Sequence, residues 1–339
     1  EAAHLTVFQR TPYFAVPLQN EPMTEAEDRR VKSSYDEFRR NARNSFAGVN
    51  ICVPRPSAMA DTPEERKAHY EHCYQEGGFN VWLGSYEDLL FNAESNETAA
   101  EFIRGKIRAR VTDPKIAEML CPREGVSYGT KRQPCETEYF EAFNRDNVTL
   151  VDIHRSPIEE ITPECLRTTD ESYELDYLIY ATGFDAFTGS LFKMNIKGRD
   201  GLTLKEHWTD GPRTYLGLSM TGFPNLFNIT GPQSPSAFYN FPLGIENHCD
   251  WIADCIRYMN DNGLATIDVE QAAEEQWLAH IVELADASLF PQASSWYMGD
   301  NIPGKPRVFM VYLGGGKTYQ EVIDREAVEK YPSYTFVPN

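Results

Sequence analysis

The chain has 339 residues, a formal net charge of −19, 41% hydrophobic residues and 24% charged residues. That length allows two or three domains with a sizeable buried core. The acidic surplus argues against non-specific binding to nucleic acid or to anionic membrane, both of which need spare Lys and Arg, and no run approaches the roughly 18 apolar residues of a membrane span.

In chain order, EAAH reads as the tail of a helix that begins upstream, so a preceding segment is expected. Leu5–Pro12, LTVFQRTP, reads as a strand running into a turn. Over 28–45, Val31, Tyr35 and Phe38 recur at i, i+4 and i+7 among charges and predict an amphipathic helix. Thr62-Pro63-Glu64-Glu65 combines a cap, a proline at the first helical position and acids in the first turn. A further helix is expected from about Glu97, with Phe102, Ile103 and Ile107 on one face, and Asp113-Pro114 opens a short one reaching Leu120. The stretch of about 20–130 is therefore expected to be all-helical.

The pattern changes near Thr137. VTLVDI (Val148–Ile153) and LIYATGF (Leu178–Phe184) predict strands, as do Ile158–Ile161, Tyr215–Ser219, Leu226–Ile229 and VFMVYL (Val308–Leu313). Ile245–Tyr258 predicts a helix with Ile245, Cys249, Ile252 and Ile256 along its apolar face, stopped by Asn262-Gly263. A second helix follows over about 269–289. The seven cysteines are odd in number, scattered and without a CxxC pair. They read as reduced thiols in a cytoplasmic protein, which makes the sequons at Asn96, Asn147 and Asn228 chance matches.

Three features carry chemistry. The apolar run ending in Ala181-Thr182-Gly183 leaves no bulk where the chain exits a sheet, and Gly183 lets backbone approach a cofactor there, although any α/β strand and turn would look the same. Arg10, Lys131 and Arg132 sit beside strand ends and turns. They could pair with surface carboxylates, or grip phosphate oxygens such as the 2′-phosphate of NADP. The loop within Phe223–Phe238 is rich in Gly, Pro and Ser and is placed to line a pocket or simply to connect. Two decoys are set aside. GGGKT lacks the first glycine of a P-loop, because Val311 stands there. His69, His72 and Cys73 have helical spacing without an evident fourth ligand, so no metal is expected.

Taken in order, FQRTP, GTKR, YFEAFNRDNVTLVD, DYLIYATGFDAFTG, GPRTYLGLSMTGFPNLFNITGPQSPSAF and ASSWYMGDNIPGKPRVFMVYLGG resemble the Baeyer–Villiger monooxygenases, the class B flavoprotein oxygenases. The resemblance is strongest over 125–320 and weakest around 45–100. Two GxGxxG turns and an FxGxxxHxxxW fingerprint, which lie upstream in that family, are not in this sequence. The resemblance therefore implies the C-terminal portion of such an enzyme, lacking the N-terminal FAD-binding segment.

The implied fold class is α/β, the C-terminal part of a flavoprotein with two Rossmann-like dinucleotide-binding domains, for FAD and NADP, and a helical insert. Residues 1–17 would end the first NADP-domain stretch, 18–134 would be the insert, 135–182 would return to the NADP domain, and 183–339 would complete the FAD domain. The implied cofactors are FAD and NADP(H). The implied partners are a ketone, O2 and the missing N-terminal segment, with no nucleic acid and no membrane. Arg132 falls on the active-site arginine; Arg10, Thr11 and Lys131 fall on the 2′-phosphate grip. Trp296 falls on the cofactor-contacting tryptophan, and Ser236, Ala237 and Phe238 on the substrate-bordering loop. The implied reaction turns a ketone into an ester or lactone through a C4a-peroxyflavin and a Criegee adduct, with Arg132 holding the anion. The alternatives are a flavin-dependent N- or S-hydroxylating monooxygenase and a non-catalytic fragment.

Overall fold

A computed structural model describes residues 2–339, which divide into two compact units. The first takes in the chain up to Glu21 together with Cys52–Gly183; the second is Pro22–Ile51 with Phe184–Asn339. The expected helical stretch is thus divided, and its first 30 or so residues cluster with the second unit.

In the first unit the strand Leu5–Gln9 pairs in parallel with Val148–Asp152, from Leu5 opposite Val148 to Gln9 opposite Asp152. Val16–Pro17 pairs in parallel with Cys135–Glu136. Ile158–Ile161, Cys165–Thr168 and Ser172–Glu174 form an antiparallel sheet. Helix Pro63–Glu76 begins as its sequence dictates: Thr62 Oγ1 accepts from Glu65 N, and the Glu65 carboxylate accepts from Thr62 N. Helix Ala93–Arg110 is capped by Asn92 and helix Pro114–Leu120 by Asp113. Ile103 and Ile107 are buried, and each contributes on the order of 2 kcal/mol of transfer free energy. Phe102 stacks on Tyr70 at 5.4 Å. Ala2–His4 is not helical; His4 Nε2 instead lies 2.9 Å from Thr149 Oγ1.

In the second unit the predicted 28–45 helix is two, Glu25–Ser33 and Tyr35–Asn44, broken at Ser34. Helix Phe241–Asp261 packs on helix Gly316–Val328. Strand Leu264–Val269 pairs antiparallel with Tyr334–Pro338, followed by helix Gln271–Asp286. The predicted apolar face of the long helix faces the wrong way. Ile245 and Ile256 are 40% and 46% exposed, whereas Leu243, His248, Trp251, Cys255 and Met259 are buried. Two apolar stripes overlap on this helix, and the one carrying the larger aromatic surface of Trp251 is the one inside.

His248 is inside for a polar reason. Its Nδ1 accepts from Thr230 N at 2.9 Å and its Nε2 lies 2.8 Å from Tyr319 Oη. Burial depresses its pKa to about 4, so it is neutral at pH 7.

Several predicted strands are absent. Leu178–Phe184 is irregular and pairs with no strand among the described residues, and Tyr177, Ile179, Tyr180 and Phe184 are 68–89% exposed. A strand needs a neighbour to accept and donate its ladder bonds, and none stands beside this run. Val308–Leu313 is also irregular, although Phe309–Leu313 is buried. Its bonds go singly to irregular segments: Val308 N to Met298 O, Met310 N to Tyr297 O, Gln233 N to Met310 O and Tyr312 N to Ser234 O. Tyr215–Ser219 makes one isolated bridge around a turn with Leu216 at φ +58° and Gly217 at +69°, and Leu226–Ile229 is not a strand.

Among the described residues no helix is long and apolar enough to cross a membrane, and no group of three His, Cys, Asp or Glu is disposed to hold a metal. His69 is a packed histidine, with Nε2 2.8 Å from Ser85 O and its ring against Tyr86. Asn96 is buried, with its amide bonded to Leu89 O and Tyr128 O and its carbonyl to Tyr128 N, leaving no surface for a glycan.

Candidate functional site

The strand Leu5–Gln9 delivers Arg10 at its carboxyl end. Gln9 lies opposite Asp152, so the two strands leave the sheet edge side by side, and Thr11 and His154 line one cavity of about 220 Å³. Lys131 reaches the same cavity from the GTKR turn. That turn is tightly specified. Gly129 sits at φ +80°, where a Cβ would run into the indole nitrogen of Trp82. Asn96 pins Tyr128 from below, and the Tyr128 hydroxyl donates to the side-chain carbonyl of Gln133.

The electrostatics of this cavity are unusual for so acidic a chain. Arg10, Arg123, Lys131 and His154 line it, and no carboxylate does. Burial first, and the nearby charge of Arg10 second, hold the Lys131 ammonium below its ordinary pKa. Lys131 Nζ also lies 5.8 Å from the Tyr13 ring centroid. Two like charges gathered without a counter-ion lower each other's stability, and a bound anion reverses that penalty.

Arg132 is the next residue yet does not line the cavity. Its guanidinium stands over the Phe79 ring, 5.3 Å from the centroid. The Gln133 amide donates to Gly78 O at 2.8 Å, which fixes the ring's backbone directly beside the GTKR turn. Gly183, at φ +88° with nothing near the position of a Cβ, needs glycine for its backbone conformation and not for packing.

In the second unit Ser236–Phe238 forms one tight helical turn, with Ser236 at φ +30°. Phe238 packs against Tyr297 at 5.0 Å and Phe290 at 5.4 Å. Trp296 lies 4.2 Å from Tyr297 and 5.7 Å from Phe187. Ser236, Ala237, Phe238 and Trp296 are thus brought into one aromatic neighbourhood. Ser236 Oγ and Ser295 Oγ are buried there without a hydrogen-bond partner among the described residues, an arrangement that a polar ligand relieves. Lys305 Nζ donates to Asp185 Oδ1 at 2.7 Å and to Ala186 O at 2.9 Å, fixing the chain just beyond Phe184. Burial pushes the Asp185 carboxyl up, but the bonds from Lys305 and Thr188 outweigh it and hold it below its usual value.

Sequence reasoning missed Tyr13, Arg123 and His154 in the cavity, Phe79 under Arg132, and Tyr297. Only His154 had a usable signal, because parallel pairing of the two flanking strands sets it beside Thr11. The others come from segments with no shared pattern.

A pair of parallel strands with a cation-lined cavity at its carboxyl edge is the plan of the open α/β class. No known family profile matches the chain. Individual proteins do. A Baeyer–Villiger monooxygenase of Pseudooceanicola batsensis is 40% identical over 98% of this chain and 60% of its own length. The phenazine N-monooxygenase of Lysobacter antibioticus is 37% identical over 98% of this chain and 61% of its own. The solved structure of an oxidised steroid monooxygenase bound to NADP superposes with a TM-score of 0.94, at 42% identity, over 100% of this chain and 63% of that one. Along nearly its whole length the chain is therefore homologous to the Baeyer–Villiger monooxygenases, and it shares their α/β fold. It spans about 60% of the length of the curated relatives it matches.

Proposed function

We propose that the chain is the NADP(H)-gripping and ketone-facing part of a Baeyer–Villiger monooxygenase that converts a ketone, O2, NADPH and a proton to an ester or lactone, water and NADP+. The observation that carries this reading is the Arg10–Lys131 pair, gathered in a cavity without a carboxylate. NADP differs from NAD by a 2′-phosphate, and two cations at a strand edge match that difference.

The assignment gives residues 1–17 and 135–182 to the NADP domain, 18–134 to a helical insert and 183–339 to the FAD domain. The compact-unit boundary after Gly183 supports the last division. The glycine-rich turns for FAD are supplied by further sequence preceding this part in the complete enzyme. The exposed, unpaired run ahead of Phe184 and the 60% span of the relatives support that requirement.

FAD, when bound, would supply the activation of O2. The chain's own residues do the rest. Arg10, Thr11 and Lys131 hold the nucleotide phosphate. Ser236, Ala237 and Phe238 border the ketone, and Trp296 meets the cofactor. Gly183 leaves room for backbone to approach a cofactor. The Arg132 guanidinium stabilises the negative charge that develops on the carbonyl oxygen as the new C–O bond forms.

Arg132→Ala in the complete enzyme is expected to keep flavin and NADP+ binding and to lose ester formation by at least about 100-fold, the scale of one oxyanion-stabilising group. Unchanged ester yield, measured by product analysis, overturns the role. The phenazine N-monooxygenase relative favours a second reading, oxygenation at nitrogen. Parallel assays with a ketone and an aromatic N-heterocycle separate the two.

A further inference from the structure

Arg123 is the cation of the cavity that neither the motif reading nor the proposed NADP(H) grip uses. It arrives from a separate loop, Cys121–Gly125, and its side chain is exposed at the cavity. No carboxylate pairs with it among the described residues. The loop is held from below by Arg104, which is only 1% exposed inside a helix whose other buried residues are mostly apolar. Arg104 Nε donates to Pro122 O at 2.9 Å and Nη2 to Arg123 O at 3.3 Å. The same guanidinium stands 5.7 Å from the ring centroid of Phe14, another wall of the cavity, and is neutralised by Glu97 and Glu101 at 2.7 and 3.1 Å.

A buried guanidinium shared between two carboxylates and two backbone carbonyls is costly as a packing device, because an apolar side chain would fill the space. What it gives is a fixed loop. With both carbonyls turned toward Arg104, the exposed Arg123 side chain is left to line the cavity, and Phe14 is braced by the same group.

We infer that Arg123 is a third phosphate-contacting cation of the Arg10–Lys131 cavity, one that determines preference for NADP(H) over NAD(H), and that Arg104 is the residue positioning it. The inference deepens the NADP(H) reading above and rests on it. A phosphate monoester close to doubly charged presents three acceptor oxygens. Arg10, Thr11 and Lys131 reach it from the strand edge and the GTKR turn, and Arg123 lines the same cavity from a separate loop.

The test measures NADP+ and NAD+ dissociation constants of the complete, FAD-loaded enzyme by titration calorimetry. Arg123→Ala is expected to weaken NADP+ about tenfold, the scale of one charge-assisted hydrogen bond, while NAD+ moves less than about twofold. Equal changes for both nucleotides, or none for either, overturn the assignment. Arg10→Ala and Lys131→Ala run alongside. If they discriminate and Arg123→Ala does not, only the third cation is wrong; if none discriminates, the NADP(H) grip itself fails. Arg104→Lys is made with and without Arg123→Ala. A positioning role predicts loss of NADP+ preference in the first background and no further loss in the second. Additive losses in both backgrounds overturn it.

Discussion

Two apolar runs of similar composition meet opposite fates. Leu178–Phe184 crosses the end of the first unit with its large side chains in solvent, and Val308–Leu313 lies in the second unit almost wholly buried. Neither is a strand. The buried run shows that burial without a regular neighbour gives satisfied but irregular bonds, shared between the 297–298 turn and the 233–234 loop. The exposed run lacks both burial and neighbours, so its apolar character is a demand that the described chain does not meet.

The largest effect that would break this contrast is in the buried run. Met310 is fully buried, and both its backbone N–H and C=O are used. Met310→Ala is expected to lower unfolding free energy by about 2–5 kcal/mol through the cavity it leaves, measured by denaturant titration. A loss below about 1 kcal/mol would mean that the run is no better packed than its exposed counterpart.

Next in size is a pH effect on the loop that the buried run pairs with. His248 accepts from Thr230 N at the start of that loop, and its folded pKa of about 4 lies below the ordinary 6.5. The unfolded chain therefore binds the extra proton first. Stability is full above about pH 6.5 and falls as the pH drops toward 4, by up to roughly 3 kcal/mol. His248→Gln should flatten that slope in thermal melts at pH 4–7. An unchanged slope would assign the acid sensitivity to other groups.

The same contrast explains what could be read in advance. Caps were legible because they are local: Thr62 and Glu65 need only three residues of spacing to specify a helix start. The parallel strands 5–9 and 148–152 and the Gly129 turn were legible for similar reasons. What failed depended on partners. LIYATGF has strand composition, but a strand is a pair property. Ile245 and Ile256 make an apolar stripe, yet Trp251 and the doubly bonded His248 decide which side of the helix is inside. Of the candidate site, single residues in motifs were legible, whereas Arg123 and Phe79 come together with Lys131 and Arg132 only through folding of separate segments.

A smaller effect is expected at the point where the exposed run ends. Asp185→Ala removes the partner of Lys305, whose side chain is only 7% exposed, and leaves that ammonium with Ala186 O. A loss of about 1–3 kcal/mol follows from one poorly satisfied buried charge, read by thermal melts. Lys305→Met made in the same background should recover part of it, since the unpaired charge is then gone. No recovery would mean that the Asp185–Thr188 bond, at 2.9 Å, carries the effect.

The smallest effect is the sharpest test of the exposed run itself. Ile179 and Tyr180 are 86% and 68% exposed, so Ile179→Ser with Tyr180→Ser should change the stability of this chain by no more than about 0.5 kcal/mol. In the complete enzyme the proposal has further sequence laid beside this run, and the same pair of changes then removes buried apolar surface. The substitutions should there lower stability by about 2–4 kcal/mol at roughly 25 cal/mol per Å². The difference between the two measurements, and not either one alone, reports what covers Leu178–Phe184. Equal, near-zero effects in both would show that the run stays in solvent, and that its apolar composition serves something other than a strand of the assembled sheet.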